Sequence, residues 1–358
     1  AIGACARGSR WVQALQLVAA ASKDEQLLNL ASVNAAIYAC ARSGRWAWAV
    51  HLLFERRAAL LPDIISYNTA IFACERGAQW QRALELLLRA RSLALEMQTA
   101  SFNLAMGAMV QTGRWQLSCW LLRQMWCERL APDALSLNAG IGACAEAAHW
   151  EAALVLIGPA ASKLGLEPDV WNYNATINAC AKSAQWRCSL ELLTHMQEVS
   201  AVPDATSFGT AISACEKGGR PGVALLLLQG MRSAEIMPDM VACSAAISAC
   251  EKSGFWQSAL QLLVQMEICA RTDTVSFNAA ISACEKGREW PQALELLGRM
   301  RLASVPANVV SFGAAVGACS RDGRWMEVLA LLMEMRHANV PRDTVLLVAA
   351  ARALEKSC

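Results

Sequence analysis

The chain has 358 residues, 55% of them apolar and 17% charged, with a net charge of +2. That balance provides ample core material and excludes disorder over most of the length, which needs low hydrophobicity and high charge. It also excludes a strongly basic nucleic-acid tail, though not a local basic stripe, and no apolar run approaches the ~18 residues of a membrane span.

Length alone suggests two or three domains of ~150 residues. The 15 Cys and 13 Trp are many beside 3 Tyr. Their placement decides between a disulfide scaffold, a metal protein and something else.

One motif recurs along the whole chain. Its clearest copy is Ser-Phe-Asn-Ala-Ala-Ile-Ser-Ala-Cys-Glu-Lys (276–286), followed by Trp-Pro-Gln-Ala-Leu-Glu-Leu-Leu (290–297). With Thr274 as position 1, complete repeats start at Leu30, Ile64, Thr99, Ala134, Val170, Ala205, Met240, Thr274 and Val309. Their lengths are 34, 35, 35, 36, 35, 35, 34, 35 and 35 residues. These nine repeats (30–343) follow a partial one (1–29) and precede another (344–358). The expectation is therefore a single quasi-one-dimensional array over 1–358 rather than separate domains. The chain opens on Ala inside a helical pattern and stops inside another, so it reads as a piece of a longer protein. A missing leader then says nothing about location.

Each repeat predicts two helices. In the first, apolar residues fall at positions 4, 7, 8 and 11 (Phe277, Ala280, Ile281, Cys284), the period of one buried helical stripe. Gly near position 14 (Gly44, Gly77, Gly113, Gly218, Gly254, Gly287, Gly323) suits a left-handed cap. The second helix is expected to bury positions 17, 20, 21, 24 and 27 (Trp290, Ala293, Leu294, Leu297, Met300). Pro-Asp follows it at 62–63, 132–133, 168–169, 203–204 and 238–239, where Pro blocks continuation. The fold class is all-α: a right-handed solenoid of stacked helix-turn-helix units.

Nine Cys share position 11, from Cys5 to Cys319, with Met109 as the apolar substitute. Neighbouring helices pack ~8–10 Å apart, beyond the ~7 Å Cα limit of a disulfide, and no Cys-x-x-Cys marks a zinc site. These thiols read as small buried hydrophobes. Nine Trp share position 17, in phase with Leu294 and Leu297, which favours core packing over base stacking. Ala fills position 10 in every copy.

The opposite arc of the first helix is patterned. Position 5 is Asn34, Asn68, Asn103, Asn138, Asn174 and Asn278, with Gly209, Ser244 and Gly313 elsewhere. Position 13 is basic at Arg7, Arg42, Arg76, Lys182, Lys217, Lys252, Lys286 and Arg321, interrupted by Gln111 and Glu146. Position 9 is mostly Gly or Ser, leaving room beside the stripe. The last position holds Asp63, Asp133, Asp169, Asp204, Asp239, Asp273 and Asp343, with Gln98 and Asn308 as variants. Stacking aligns these into rows of amide, acid and base. Cations suit a phosphate backbone. Asn offers a donor and an acceptor to an unpaired base edge. One polar set per repeat suits a one-base-per-repeat reader.

On these residues the array resembles the pentatricopeptide repeat family in its plain 35-residue form. Ser-Tyr-Asn-Thr-Ala-Ile (66–71), Ser-Phe-Asn-Ala-Ala-Ile (276–281), Ala-Leu-Glu-Leu-Leu (83–87 and 293–297) and the terminal Pro-Asp carry the likeness. Trp at position 17 departs from the commonest plant pattern. A tetratricopeptide array shares the period and the superhelical fold, but its landmarks sit at other spacings.

The resemblance implies single-stranded RNA binding, one nucleotide per repeat, in a mitochondrion or chloroplast, serving RNA processing, stabilisation, editing or translation. In that family position 5 and the last residue select the base. Asn34/Asp63, Asn103/Asp133, Asn138/Asp169 and Asn174/Asp204 resemble uracil readers, Ser244/Asp273 a guanine reader, and Asn278/Asn308 a pyrimidine reader preferring cytosine. Asn68/Gln98 and the two Gly repeats depart from the pattern. The implied site is 5′-U-N-U-U-U-N-G-Y-N-3′. Position 2 (Ile65, Trp171, Val241, Val275, Val310) would sandwich bases, and the position-13 cations would meet phosphates. Accessory processing or editing proteins are implied partners. No membrane, small-molecule substrate or cofactor is expected.

His149-Trp150-Glu151 matches half of a zinc deaminase signature, but no Pro-Cys-x-x-Cys follows and Trp150 is the repeat Trp. No catalytic constellation is evident, and an enzymatic domain after Cys358 stays open. The alternative function is a protein-interaction scaffold holding a peptide, favoured by the near-neutral charge and the Gly at position 5.

Overall fold

The computed structural model describes residues 2–8, 10–21, 29–55, 61–199, 201–268, 272–338, 340–341 and 348. Asp343 and nearly all of 344–358 lie outside them. The described residues form helices and connecting turns, with no strand among them. None of these helices is long and apolar enough to cross a membrane. The chain forms a helical solenoid that divides into two compact units, 1–179 and 180–358.

First helices begin at Leu30, Ile64, Thr99, Ala134, Val170, Ala205, Met240, Thr274 and Val309, each at position 1. Second helices begin at Trp46, Trp80, Trp115, Trp150, Trp186, Pro221, Trp256, Trp290 and Trp325, each at position 17. From Leu30 to Ala134 and again from Ala205 to Val309, successive first helices pack on one another, and each second helix between them packs on its own first helix and the next. Position 10 explains the close approach: Ala39, Ala73, Ala108, Ala143, Ala179, Ala214, Ala249, Ala283 and Ala318 are fully buried.

The position-11 thiols are buried beside those alanines from Cys40 to Cys319, whereas Cys5 is only partly covered. Burial pushes Cys40, Cys215, Cys250 and Cys319 up to about 11, and Cys74, Cys180 and Cys284 up to about 12. At neutral pH these groups stay as thiols and pack as apolar atoms.

The fourth repeat is the one of 36 residues. Its second helix runs α-helical over Trp150–Val155, π-helical over Leu156–Ala160 and α-helical again over Ala161–Leu164. The π turn absorbs the additional residue. Pro159 sits in that turn, where its missing N–H breaks an already widened ladder.

Two expectations shift. The buried stripe of the second helix is 20, 23, 24 and 27, as in Ala83, Leu86, Leu87 and Ala90. Position 17 therefore sits at the edge of the stripe, and the Trp column is half-buried rather than core. The cation at position 16 of the next repeat covers several of these rings: Arg45 over Trp11 at 5.3 Å, Arg114 over Trp80 at 4.9 Å, Arg324 over Trp290 at 4.8 Å. Such cation–π contacts favour a rim site over a dry one.

The glycines near position 14 form two groups. Gly44, Gly113, Gly254 and Gly323 stand at position 15 and are left-handed, with φ of 61° to 72°. Gly77 and Gly218, at position 14, have φ of −93° and −79°; there, as in the repeat of Gly287, the left-handed residue is the next one, Ala78, Gly219 or Arg288. What Gly287 supplies is space: a Cβ there would lie 2.4 Å from Cδ1 of Trp256 in the preceding repeat. Gly287→Ala is expected to destabilise by about 1–3 kcal/mol through overpacking, and Trp256→Leu to recover part of that loss in the double variant. Thermal melts of the four proteins check this; additive effects would mean the two residues are not in contact.

Candidate functional site

The site is built at the boundary between repeats. A helix N-terminus leaves backbone N–H groups without partners, and the last residue of the preceding repeat satisfies one. Asp63 accepts from the Ser66 N–H at 2.8 Å, Asp133 from Ser136 at 2.8 Å, Asp169 from Asn172 at 2.9 Å. Asp204, Asp239 and Asp273 do the same for Ser207, Ala242 and Ser276 at 2.8, 2.7 and 2.8 Å. Asn308 caps through Ser311 at 3.1 Å. Gln98, one methylene longer, makes no side-chain cap.

The same side chains meet the amide of the repeat before. Asn34 Nδ2 donates to Asp63 Oδ1 at 3.3 Å, Asn103 Nδ2 to Asp133 at 3.0 Å, and Asn278 Nδ2 to Asn308 Oδ1 at 3.3 Å. Position 5 and the last residue are thus brought together as expected in these repeats. Burial alone would raise the carboxyls of Asp63 and Asp133. Donation from the Ser backbone N–H and the Asn amide outweighs it, so both sit below the usual carboxylate range.

A third member was not anticipated. The buried position-3 hydroxyl donates to the Asn carbonyl: Ser66 to Asn34 Oδ1 at 2.6 Å, Ser136 to Asn103 at 2.6 Å, Ser311 to Asn278 at 2.5 Å. Asn172 Nδ2 serves Asn138 Oδ1 in the same way at 2.5 Å. Beside Gln98 the set does not close, and Asn68 Oδ1 and Ser101 Oγ are buried without a partner. Ser244 Oγ contacts the Met240 carbonyl at 2.6 Å and Ser276 Oγ at 3.1 Å. Asn174 is half-buried at position 5 of its own helix.

Next to these amides, position 2 presents exposed apolar groups. Ile65 is 59% exposed, Val241 65%, Val275 62%, Val310 59% and Trp171 49%. Leu135, at the same position and 65% exposed, belongs with them; its periodicity could have marked it. The Trp171 ring lies against the preceding repeat, where a Cβ on Gly142 would sit 3.3 Å from its Cη2.

The position-13 cations are exposed as expected, from Arg7 through Arg42, Arg76, Lys182, Lys217, Lys252 and Lys286 to Arg321. Several are already engaged. Lys252 pairs with Glu216 at 3.1 Å, Lys286 with Glu251 at 3.0 Å, Arg321 with Glu285 at 2.9 Å. Arg42 donates to the Arg7 carbonyl at 2.8 Å. Each glutamate occupies position 12 of the preceding repeat and fills the room that a small position 9 leaves: Ser248 and Ser282 donate to Glu216 and Glu251 at 2.9 Å. A Cβ on Gly317 would meet the Glu285 carboxylate at 2.6 Å, and one on Gly107 the Glu75 carboxylate at 2.5 Å. Burial raises Glu75 and Glu285 above the ordinary glutamate range.

His149 is structural here. Its ring packs against Trp115 with centroids 3.9 Å apart and planes tilted by 34°, and its Nδ1 accepts from the Ala152 N–H at 3.4 Å. Among the described residues no group of three or more His, Cys, Asp or Glu is placed to hold a metal ion.

Residues 159–218 match the Pentatricopeptide repeat domain, and 241–269, 275–305 and 310–340 match the PPR repeat. The fold is similar to the pentatricopeptide repeat protein PPR10 in complex with an 18-nt psaJ RNA element. There the TM-score is 0.73 and identity 18%, over 99% of this chain and 52% of the other. PPR10 from maize aligns with a TM-score of 0.59 and 17% identity, over 99% of this chain and 61% of the other. The chain thus spans little more than half the length of these structures. No curated protein sequence matches it.

Because the folded Asp133 carboxyl titrates below its unfolded value of about 3.9, its contribution to stability is present above about pH 4. That contribution is lost as pH falls through the folded value. Asp133→Asn is expected to lower the urea midpoint at pH 7 and to match the parent near pH 2. An equal deficit at both pH values would contradict the assignment.

Proposed function

We propose that this chain, a pentatricopeptide repeat protein, binds single-stranded RNA along its first-helix faces, one nucleotide per repeat. The observation that carries this reading is the recurring boundary contact of Asn34 with Asp63, Asn103 with Asp133 and Asn278 with Asn308. Each leaves one amide N–H and one carbonyl lone pair of the Asn for a base edge. Exposed apolar side chains at position 2 flank each amide, and stacking on such platforms is worth ~1–3 kcal/mol per base for aromatic residues in other single-strand binders. The likeness to a structure of PPR10 with an RNA element supports the same reading.

The site is 5′-U-N-U-U-U-N-G-Y-N-3′, from the first complete repeat to the ninth. Asn138/Asp169 and Asn174/Asp204 read uracil as Asn34/Asp63 and Asn103/Asp133 do. Asn68 reads nothing specific beside Gln98, and Gly209 and Gly313 have no side chain to reach a base. The place of action is an organelle and the role RNA processing, stabilisation, editing or translation, as in the family. The rival reading, a peptide-binding scaffold, is favoured by the neutralised cations of the second unit.

A selection from a randomised RNA pool at low salt separates the two. Enrichment of the U-rich site is the expected outcome, and Asn138→Ser shifts its fourth nucleotide from U toward G. Eight fully engaged backbone cations would give a log–log salt slope of about −6. A shallower slope is expected for the parent, because Lys252, Lys286 and Arg321 are paired with glutamates, and a steeper one after Glu251→Gln. No enrichment overturns RNA binding.

A further inference from the structure

Position 3 of each repeat carries a signal that capping does not explain. The hydroxyls of Ser66, Ser136 and Ser311 and the amide of Asn172 all donate to the Oδ1 of an Asn in the preceding repeat, at 2.5–2.6 Å. Two different side chains thus deliver the same donor. The serines also help cap their helices, but the cap does not require them: Asp239 caps through the backbone N–H of Ala242 at 2.7 Å with no hydroxyl.

The nine repeats separate the two roles. Wherever position 5 is Asn or Ser, the next repeat has Ser or Asn at position 3: Ser66, Ser101, Ser136, Asn172, Ser207, Ser276 and Ser311. After Gly209 it has Ala242, and after Gly313 it has Leu346. Where there is no side chain to hold, there is no holder.

The physical need is clear. A primary amide turned through 180° exchanges its donor and acceptor. The last-position Asp fixes the Nδ2 end, and the position-3 donor fixes the Oδ1 end. One N–H and one lone pair then remain in defined places.

We propose that position 3 of the following repeat is a positioning residue for base reading. The recognition unit is then a trio across the repeat boundary rather than a pair. This rests on the RNA-binding reading above.

The test measures affinity of the full chain for sets of four RNAs, each set varied only at one nucleotide: that facing Asn103, Asn278 or residue 209. Ser136→Ala is expected to narrow the preference for uracil there by about three- to tenfold, leaving the nucleotide facing Asn278 unaffected. Ser136→Asn, the residue type of the next boundary, restores the preference. The reverse experiment builds the unit. A Cβ at Gly209 meets nothing within 4 Å, so Gly209→Asn fits. Gly209→Asn with Ala242→Ser is expected to discriminate more strongly at its nucleotide than Gly209→Asn alone. Undiminished preference in Ser136→Ala, equal loss at every nucleotide, or equal discrimination by the single and double variants overturns the positioning role. A parent with no preference at the Asn103 nucleotide overturns base reading itself.

Discussion

Every first helix starts with backbone N–H groups that need an acceptor, and the residue that supplies one belongs to the repeat before. That cap ties the helix start to the repeat period. It also places a carboxylate where the preceding Asn can reach it. Asp133 Oδ1 accepts from the Ser136 N–H at 2.8 Å and from Asn103 Nδ2 at 3.0 Å, so one group ends a repeat, opens a helix and orients an amide. Its ionised form is favoured by both donors. A longer side chain breaks the arrangement, as Gln98 does by leaving Asn68 Oδ1 and Ser101 Oγ unpaired.

Packing sets the distance over which this works. Fully buried alanines at position 10 let first helices approach closely. Close approach demands small residues wherever a neighbour crosses the boundary. Gly287 yields to Trp256, Gly142 to Trp171, and Gly317 to the Glu285 carboxylate. The small positions are therefore imprints of side chains in adjacent repeats. Changing one without its partner strains the boundary on which the cap and amide depend.

Much of this was legible in the sequence because the repeat multiplies each weak signal. Helix starts at positions 1 and 17, the buried thiols and the meeting of Asn34 with Asp63 follow from period and phase. The misplaced features are those that a helical wheel cannot carry. A wheel shows one helix, so it put Trp290 in the core when Arg324 of the next repeat covers it at the rim. It read the small position 9 as open space, because Glu251 and Ser282 are 31 residues apart. The link between Ser136 and Asn103 is invisible to a wheel for the same reason, since Asn103 belongs to the preceding repeat.

The paired cations bear on what selects a ligand. Lys252, Lys286 and Arg321 each face a carboxylate from the preceding repeat. All three cations are well exposed, with 38–46% of their side-chain surface open, and such pairs contribute only ~0–1 kcal/mol. A phosphate can displace the carboxylate, but it gains less than it would from a solvated cation, and it leaves behind a partly buried glutamate. Burial already raises Glu285, so stripping away Arg321 makes its ionised form costlier still. For a strand bound as proposed, backbone attraction at these three cations would therefore be weak. Such a strand would depend there on its bases engaging position 2 and the amides at position 5, and the glutamates would sharpen selectivity by withholding charge.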